Sequence, residues 1–376
     1  MGNNNIITCV RCAVDSSIPG VSFDDHGECN HCKIYDKLAT RFKNDNERRE
    51  KLDNIIEKIK IDGKNKEYDS IVGISGGQDS SYTLYMAKKL GLNPLAVHFD
   101  NGWNTEQSVR NIKKITSKLD VDLFTYVVDW EEFKDIQISF LKASVSDAEI
   151  PTDIGIKATL YKVANDNKIK YILYSGSNFK TEGVIPIDWT YMDGKYINSV
   201  QKLFGNKKLI SYPNSYLSDL VYYFFIKRIK IIKLFDVIDF KSNNVLKILK
   251  DELDWEYYGG KHYESNYTKF FQYYILPNKF NIDKRRIHYS ALIRSGQKSR
   301  DEVLNDLDKA PCVDQDVALD KEFVCKKLDL SIDEFDRLMA LPIKSFHDYS
   351  TYYPIVKILR PLINIFKKIK IWPKIG

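Results

Sequence analysis

The chain has 376 residues, 43% hydrophobic and 29% charged, with a formal net charge of +6 at pH 7. That is ordinary globular composition, ample for a real core and for two domains, or for one α/β domain with additions. The charge is too small to argue for nucleic acid, and it suits a phosphorylated ligand or weak contact with an acidic surface. Met1 to Ile7 is polar, so no signal peptide is expected, and no run of about 18 uncharged apolar residues offers a membrane span. A cytoplasmic enzyme is the expectation.

Four of the six cysteines crowd the start. Cys9-Val-Arg-Cys12 and Cys29-Asn-His-Cys32 form two C-x2-C knuckles separated by sixteen residues. This is the spacing of a closed tetrahedral Zn²⁺ site with four thiolates, whose role would be structural because no coordination position stays open. An iron–sulfur cluster uses the same ligands, and a redox dithiol is the third reading. Residues 1–40 have too few apolar side chains to fold alone, so the metal is expected to fold them.

Lys43 to Lys66 reads as a charged helix with Leu52, Ile55, Ile56 and Ile59 on one face. The run Asp69–Ile74 then reads as a short buried strand, and Tyr82–Leu90 as a helix stopped by Gly91. Between them lies Ser75-Gly76-Gly77-Gln78-Asp79-Ser80-Ser81. Its glycines can turn successive N–H groups inward, its serines supply hydroxyl donors, and the following helix presents its positive end. The product is a socket for pyrophosphate, with Asp79 placed to hold Mg²⁺. Neither G-x-x-x-x-G-K-[ST] nor G-x-G-x-x-G is present.

The alternation continues with strand 94–99, helix 105–118, strand 123–128, helix 155–166 and strand 171–174. This predicts a parallel, doubly wound α/β sheet with helices on both faces. Ligands in such sheets sit at the carboxyl ends of the strands. Three turns fall there: 75–81, Asp100-Asn101-Gly102-Trp103, and Ser175-Gly176-Ser177-Asn178. The second is a candidate for adenine and ribose, the third for the α phosphate; each also reads as an ordinary strand-end turn. Asp153 and Glu182 are candidates for Mg²⁺ or for contact with an incoming amine.

From about Asn198 the composition turns basic and aromatic. Asp219 to Lys233 reads as an apolar helix with a basic end, either core or a docking face. Then come Lys261, His262, Glu264, His288 and the run Lys284-Arg285-Arg286. At least one of those three cations should face the site, where an anionic group such as a sugar-linked diphosphate would suit it. No Cys between 33 and 311, and no nucleophile elbow at Cys312 or Cys325, offers a covalent catalyst. The tail from 343 to 376 is basic and apolar, punctuated by Pro354 and Pro361. It is read as core packing, an oligomer contact or a foot on an anionic membrane. The organisation expected is a zinc-binding segment with four cysteines (1–40), a nucleotide domain (41–200), a helical substrate region (201–342) and this tail.

The Ser-Gly-Gly-Gln-Asp-Ser loop resembles the PP-loop of ATP pyrophosphatases, which cut ATP between the α and β phosphates. Together with the cysteine knuckles, His98-Phe-Asp-Asn-Gly-Trp103, Tyr257-Tyr-Gly-Gly-Lys-His-Tyr-Glu264 and Ile282-Asp-Lys-Arg-Arg286, it resembles over residues 6–310 the N-acetyl sugar amidotransferases of bacterial surface-polysaccharide and nonulosonic-acid clusters. The resemblance implies an adenine-nucleotide fold that uses ATP and Mg²⁺. It implies that the acetamido oxygen of an activated sugar is adenylated and that ammonia then gives an acetamidino group. In that reading Ser75, Gly76, Gly77, Gln78, Asp79, Ser80, Ser81, Asp100, Asn101, Gly102, Ser175, Gly176 and Asn178 hold the nucleotide. Asp79, Ser80, Asp153, Glu182 and Lys261 serve catalysis; Lys261, His262, Glu264, Lys284, Arg285, Arg286 and His288 hold the sugar. Ammonia is expected from separate glutaminase and channel subunits, with no nucleic-acid partner; contact at the inner membrane face and homo-oligomers stay open. The rival readings are a tRNA sulfur transferase and a non-catalytic membrane-docked scaffold.

Overall fold

The structure is a computed structural model that describes residues 6–42, 44–176, 178–311 and 314–368. Strands β1 (Ser70–Gly73), β2 (Pro94–Asp100), β3 (Leu123–Val127), β4 (Tyr171–Tyr174) and β5 (Lys230–Lys233) form one parallel sheet in the order β3-β2-β1-β4-β5. Ile71 of β1 lies opposite Leu95 on one side and Ile172 on the other, so the central strands are apolar on both faces. Order reverses between β1 and β4, and a crevice at the carboxyl ends must open there.

Helices α1 (Asn30–Ala39), α2 (Asp45–Gly63), α3 (Gln78–Lys89), α4 (Glu106–Leu119), α5 (Trp130–Ala143), α6 (Ile150–Asp166) and α7 (Gly194–Phe204) surround this sheet. Ile56 and Ile59 of α2 join Leu84, Ile112 and Ile115 in the core on one face, as the expected stripe requires. On the other face Leu160, Tyr161 and Val163 of α6 cover Ile71, Val97 and Ile172. Gly155 lets α6 approach β2: a Cβ there would stand 2.4 Å from Cζ of Phe99.

The nucleotide fold is as the alternating pattern predicted, with three corrections. Helix α6 begins at Ile150 rather than 155, because Pro151 occupies its first turn, where a missing N–H costs nothing. Helix α5 has no counterpart in the sequence reading; its Phe133, Ile136 and Phe140 are fully buried. The apolar helix expected over 219–233 stops early. One turn, Leu217–Val221, runs into a wide turn through Ile226, Arg228 takes a left-handed φ of 56°, and Lys230–Lys233 becomes the edge strand β5. Its β-branched Ile231 and Ile232 pair beside β4 as a parallel strand.

The remaining helices build a second core around Tyr267, Phe270, Phe271, Ile287 and Phe335, continuous with the cysteine segment and α5. The stretch after 343 is part of it: Phe346 stacks on Tyr191 at 4.5 Å and Tyr349 donates to Ala143 O at 2.7 Å. Only from the last helix, Tyr353–Lys368, do apolar side chains such as Ile355 and Ile358 stand exposed. Residues 369–376 of the proposed membrane foot lie outside the described residues, as does Cys312. No helix of the described residues is long and apolar enough to cross a membrane.

Candidate active site and metal centre

At the carboxyl ends of the strands lies a cavity of about 1190 Å³. Ordinary small-ligand pockets run to roughly 1,000 Å³, so this one has room for two substrates together. Its floor is the 75–81 turn. Gly76 sits at φ 79°, and a Cβ there would fall 2.3 Å from Ser108 O, so the loop is pressed onto α4 in a way only glycine allows. Gly77 is the N-cap of α3. Ser80 Oγ receives Ser75 N at 3.1 Å and donates to Gly77 O at 3.1 Å, bracing the turn from inside. Gln78 is tied outward, its Nε2 donating to Ser242 Oγ at 2.9 Å. Ser81 is fully buried and does not line the cavity.

The segment 255–264 closes over this socket. Trp255 Nε1 donates to Gly76 O at 2.9 Å, and Gln78 N donates to the Tyr258 hydroxyl at 3.3 Å. A Cβ on Gly77 would stand 3.2 Å from Glu264 Oε1, so that carboxylate already lies beside the helix N-terminus, where an anion is favoured. Burial would raise the Glu264 carboxyl, but His262, whose Nδ1 lies 3.9 Å from Oε1, and then Lys261 bring it below its ordinary value. Lys261 Nζ lies 3.6 Å from Glu182 and donates to Thr181 O at 3.3 Å.

Asp79 faces the cavity. Burial pushes its carboxyl from 3.8 up to about 7; Lys261 opposes the shift, and Glu182 and Glu264 add to it. A carboxyl that resists ionisation is the kind of group whose penalty a divalent cation reverses, and such a cation prefers carboxylate and phosphate oxygens; among the described residues only the four cysteines lie close enough together to form a ligand set by themselves. Asp153 also opens into the cavity and is raised by burial, with Lys157 one turn on opposing the shift. His288, buried at the wall, is held well below 6.5 by burial, then by Lys261, His262 and Lys284, so it stays neutral.

The structure thus brings together Ser75, Gly77, Gln78, Asp79, Ser80, Asn101, Asp153, Ser175, Gly176 and Glu182 with Lys261, His262, Glu264, Lys284, Arg285 and His288 around one space. Others stand apart. Asp100 and Gly102 form a strand-end turn, with Gly102 N donating to Asp100 Oδ1 at 2.9 Å; only Asn101 turns inward, anchored by Thr152 Oγ1 at 3.1 Å. Asn178 is buried behind the wall in its own turn, its Oδ1 receiving Lys180 N at 3.1 Å. Ser177 lies outside the described residues.

The run 284–286 divides three ways. Lys284 faces the cavity, 3.4 Å from Glu149. Arg285 reaches the wall but is held by Asp283 at 2.7 Å and by Lys309 O at 3.0 Å. Arg286 points away, to buried Asp15 at 3.0 Å and Ala13 O at 3.3 Å. It is a clamp on the cysteine segment and touches no part of the cavity. Lys157 and Lys233 line the cavity and are not among the site candidates that the sequence offers. Lys157 could have been found four residues after Asp153 on one helix face. Lys233 could not, because its segment reads as a helix.

All four cysteine sulfurs lie within 4.8 Å of one another and are buried. Cys12–Cys29 and Cys29–Cys32 are 3.7 Å apart and Cys9–Cys32 3.9 Å. Four sulfurs at ~2.3 Å from a tetrahedral Zn²⁺ are ~3.8 Å apart, so the residues fit that ion. The segment is bolted to the cavity wall: Arg294 Nη1 approaches Cys12 Sγ at 3.5 Å, Ala13 N donates to Ser290 Oγ at 3.0 Å, and Arg300 donates to Cys9 O at 3.0 Å. Its metal would therefore set the position of helix Arg285–Arg294, which carries His288.

Two family profiles match separate parts of the chain: "LPS biosynthesis protein WbpG-like, C-terminal domain" over residues 264–363, and "Queuosine biosynthesis protein QueC" over 69–166. The 7-cyano-7-deazaguanine synthase of a Nitratiruptor species is 42% identical over 73 residues, 19% of this chain and 32% of that protein. The uncharacterized protein MJ1016 of Methanocaldococcus jannaschii is 35% identical over 65 residues, 17% of this chain and 22% of that protein. The chain thus spans a third or less of the length of these curated relatives. Among solved structures, the NH3-dependent NAD synthetase of Campylobacter jejuni is 15% identical with 60% of this chain and 94% of that chain covered, at a TM-score of 0.27. The NMN synthetase of Francisella tularensis is 15% identical, covering 58% and 99%, at 0.29. At such scores the fold rests on the strand order described above.

Proposed function

We propose that this chain, similar to the QueC profile over residues 69–166 and to the WbpG-like C-terminal profile over 264–363, is a PP-loop ATP-dependent amidotransferase acting on the acetamido group of an activated sugar in surface-polysaccharide synthesis. One observation carries the reading. The anion socket of the PP-loop and the first residue of the WbpG-like region, Glu264, meet in a single chamber large enough for two substrates.

The chemistry follows from the groups present. An amide carbonyl is a poor electrophile, so its oxygen first attacks the α phosphorus of ATP; the α–β bond breaks and pyrophosphate leaves. Ammonia then adds to the amide carbon, the C–O bond to AMP breaks, and two protons are lost overall, giving the amidine. No cysteine lines the cavity among the described residues, and this route needs no covalent nucleophile. The N-terminus of α3, Ser75 and the Gly77 and Gln78 N–H groups would receive the departing pyrophosphate. Asp79, with Glu182 or Asp153, would hold Mg²⁺, which neutralises charge growing on the phosphates. Neutral His288 would accept a proton from the attacking ammonia. Lys261 and Lys284 orient anionic parts of the substrates, and holding both in line supplies much of the rate.

The ammonia is taken to come from a separate glutaminase subunit. Exposed Ile355, Ile358 and Leu359, with Lys357 among them and Arg360 next in the chain, favour contact of the last helix with an anionic membrane.

The test is mass spectrometry of acetamido-sugar nucleotides incubated with the protein, MgATP and ammonium chloride. The expected product has amide oxygen replaced by NH, with AMP formed in equal amount. Ammonium should support turnover and glutamine should not. AMP formation only on addition of tRNA would overturn the reading in favour of sulfur transfer.

A further inference from the structure

The cations that the sequence offers for a sugar-linked diphosphate already have carboxylate partners: Arg285 on Asp283, Arg286 on Asp15 and, inside the cavity, Lys284 on Glu149. Lys261 pairs with Glu182, and Lys298 and Lys309 share Asp306. Two lysines of the cavity wall remain. Among the described residues neither Lys157 nor Lys233 has a carboxylate within 4.0 Å. Lys157 Nζ meets only the Sδ of Met192 at 3.0 Å, a weak acceptor. Burial lowers both lysines; Asp153 draws Lys157 back up, Asp236 and Glu182 draw Lys233 back up, and Lys157 adds to the lowering of Lys233.

Their place in the fold is specific. Lys233 ends β5 and lies opposite Tyr174, the last residue of β4. Tyr174 lines the same cavity, and its hydroxyl has no hydrogen-bond partner among the described residues. The pyrophosphate socket follows β1, two strands away. At ~4.8 Å per strand, that is roughly 10 Å along the crevice. Asn101, the one inward residue of the turn expected to meet adenine, follows β2 on the far side of the socket. Two half-buried ammonium groups in one field, neither in ion-pair contact with a carboxylate, are costly to hold together, and a polyanion entering between them would offset that cost.

We propose that Lys157, Lys233 and the Tyr174 hydroxyl form a second phosphate subsite, which takes a diphosphate group other than the pyrophosphate held by the PP-loop. The subsite rests on reading the 75–81 turn as the ATP socket. Its position on the side away from Asn101 assigns the diphosphate to the carrier of the acceptor sugar, not to ATP. Each lysine supplies a charge-assisted hydrogen bond, so loss of one should weaken the anion about tenfold to a hundredfold.

The test is calorimetric titration of the full-length protein with UDP and with inorganic pyrophosphate, after saturation with the Mg²⁺ complex of α,β-methylene-ATP. The subsite predicts that one of these probes still binds to the saturated protein. Lys157→Met and Lys233→Met should each weaken that binding about tenfold or more, and should change affinity for the ATP analogue less than about threefold. Lys233→Arg should restore most of the probe affinity, which a loss of folding would not allow. Three results would overturn the proposal: no probe binding once the analogue is bound, probe binding unchanged by both substitutions, or equal weakening of probe and analogue. The last would give the lysines to ATP. Failure of the ATP reading is seen separately, as absence of analogue binding to the unaltered chain.

Discussion

The carboxyl of Asp79 offers a direct check on the electrostatics of the socket. Burial raises it from 3.8 to about 7 in the folded chain, whereas the unfolded chain keeps the ordinary value. Between those pH values the folded form binds the extra proton, so stability from this group is full below about pH 4 and is lost as pH rises through 7. A carboxyl moved that far carries roughly 4 kcal/mol of linkage, and water entering so large a cavity makes this an upper bound. Asp79→Asn removes the titration while keeping the shape. The difference in unfolding free energy between the two proteins, measured in urea from pH 4 to 8, should swing by about 2–4 kcal/mol, with the unaltered chain falling behind as pH rises. Mg²⁺ with a non-hydrolysable ATP analogue should reverse that fall for the unaltered chain and leave Asp79→Asn unchanged. The buried Asp147, also raised to about 7 by burial, is present in both proteins and cancels. A difference that is flat with pH would refute the assignment of a desolvated, cation-seeking carboxyl to this position.

Other consequences can be measured as directly. Arg286→Met leaves Asp15 buried without its partner and should cost about 3–5 kcal/mol in chemical denaturation; Lys284→Met should spare stability and raise KM for the sugar. Gly76→Ala drives a Cβ into Ser108 O at a left-handed φ, so AMP formation should fall about 100-fold, because an ångström of displacement in the loop misplaces the phosphates. Cys12→Ser should lower bound zinc below half an equivalent and reduce Tm, and a metal analysis showing full zinc would contradict the four-sulfur site. Removing residues 354–376 should abolish flotation with anionic vesicles without unfolding the chain; removal from 343 would also delete the buried Phe346 and Tyr349, so only the shorter deletion separates membrane contact from packing.

The chemistry of this chain is written in short local runs. Two C-x2-C pairs, a strand followed by Ser-Gly-Gly-Gln-Asp-Ser, and apolar runs alternating with helical stripes needed no tertiary context, because turn geometry, thiolate ligation and hydrophobic periodicity are fixed by neighbours along the chain. What a side chain faces is fixed by neighbours in space. Lys284, Arg285 and Arg286 are alike in sequence, yet only the packing of the cysteine segment and the 300–309 region decides that Arg286 clamps Asp15, Arg285 is braced on Asp283 at the cavity wall and Lys284 faces the cavity. Residues 229–233 read as the basic end of a helix until the open edge of β4 recruits them as β5 and puts Lys233 beside Tyr174. Asp100 and Asn101 are adjacent, yet the turn that ends β2 keeps Asp100 on Gly102 N while Thr152 of α6 holds Asn101 toward the chamber. Local runs therefore dictate which chemical groups exist and which turns can bind an anion; burial and strand pairing, acting over more than a hundred residues, bring a few of those groups together and turn the others away.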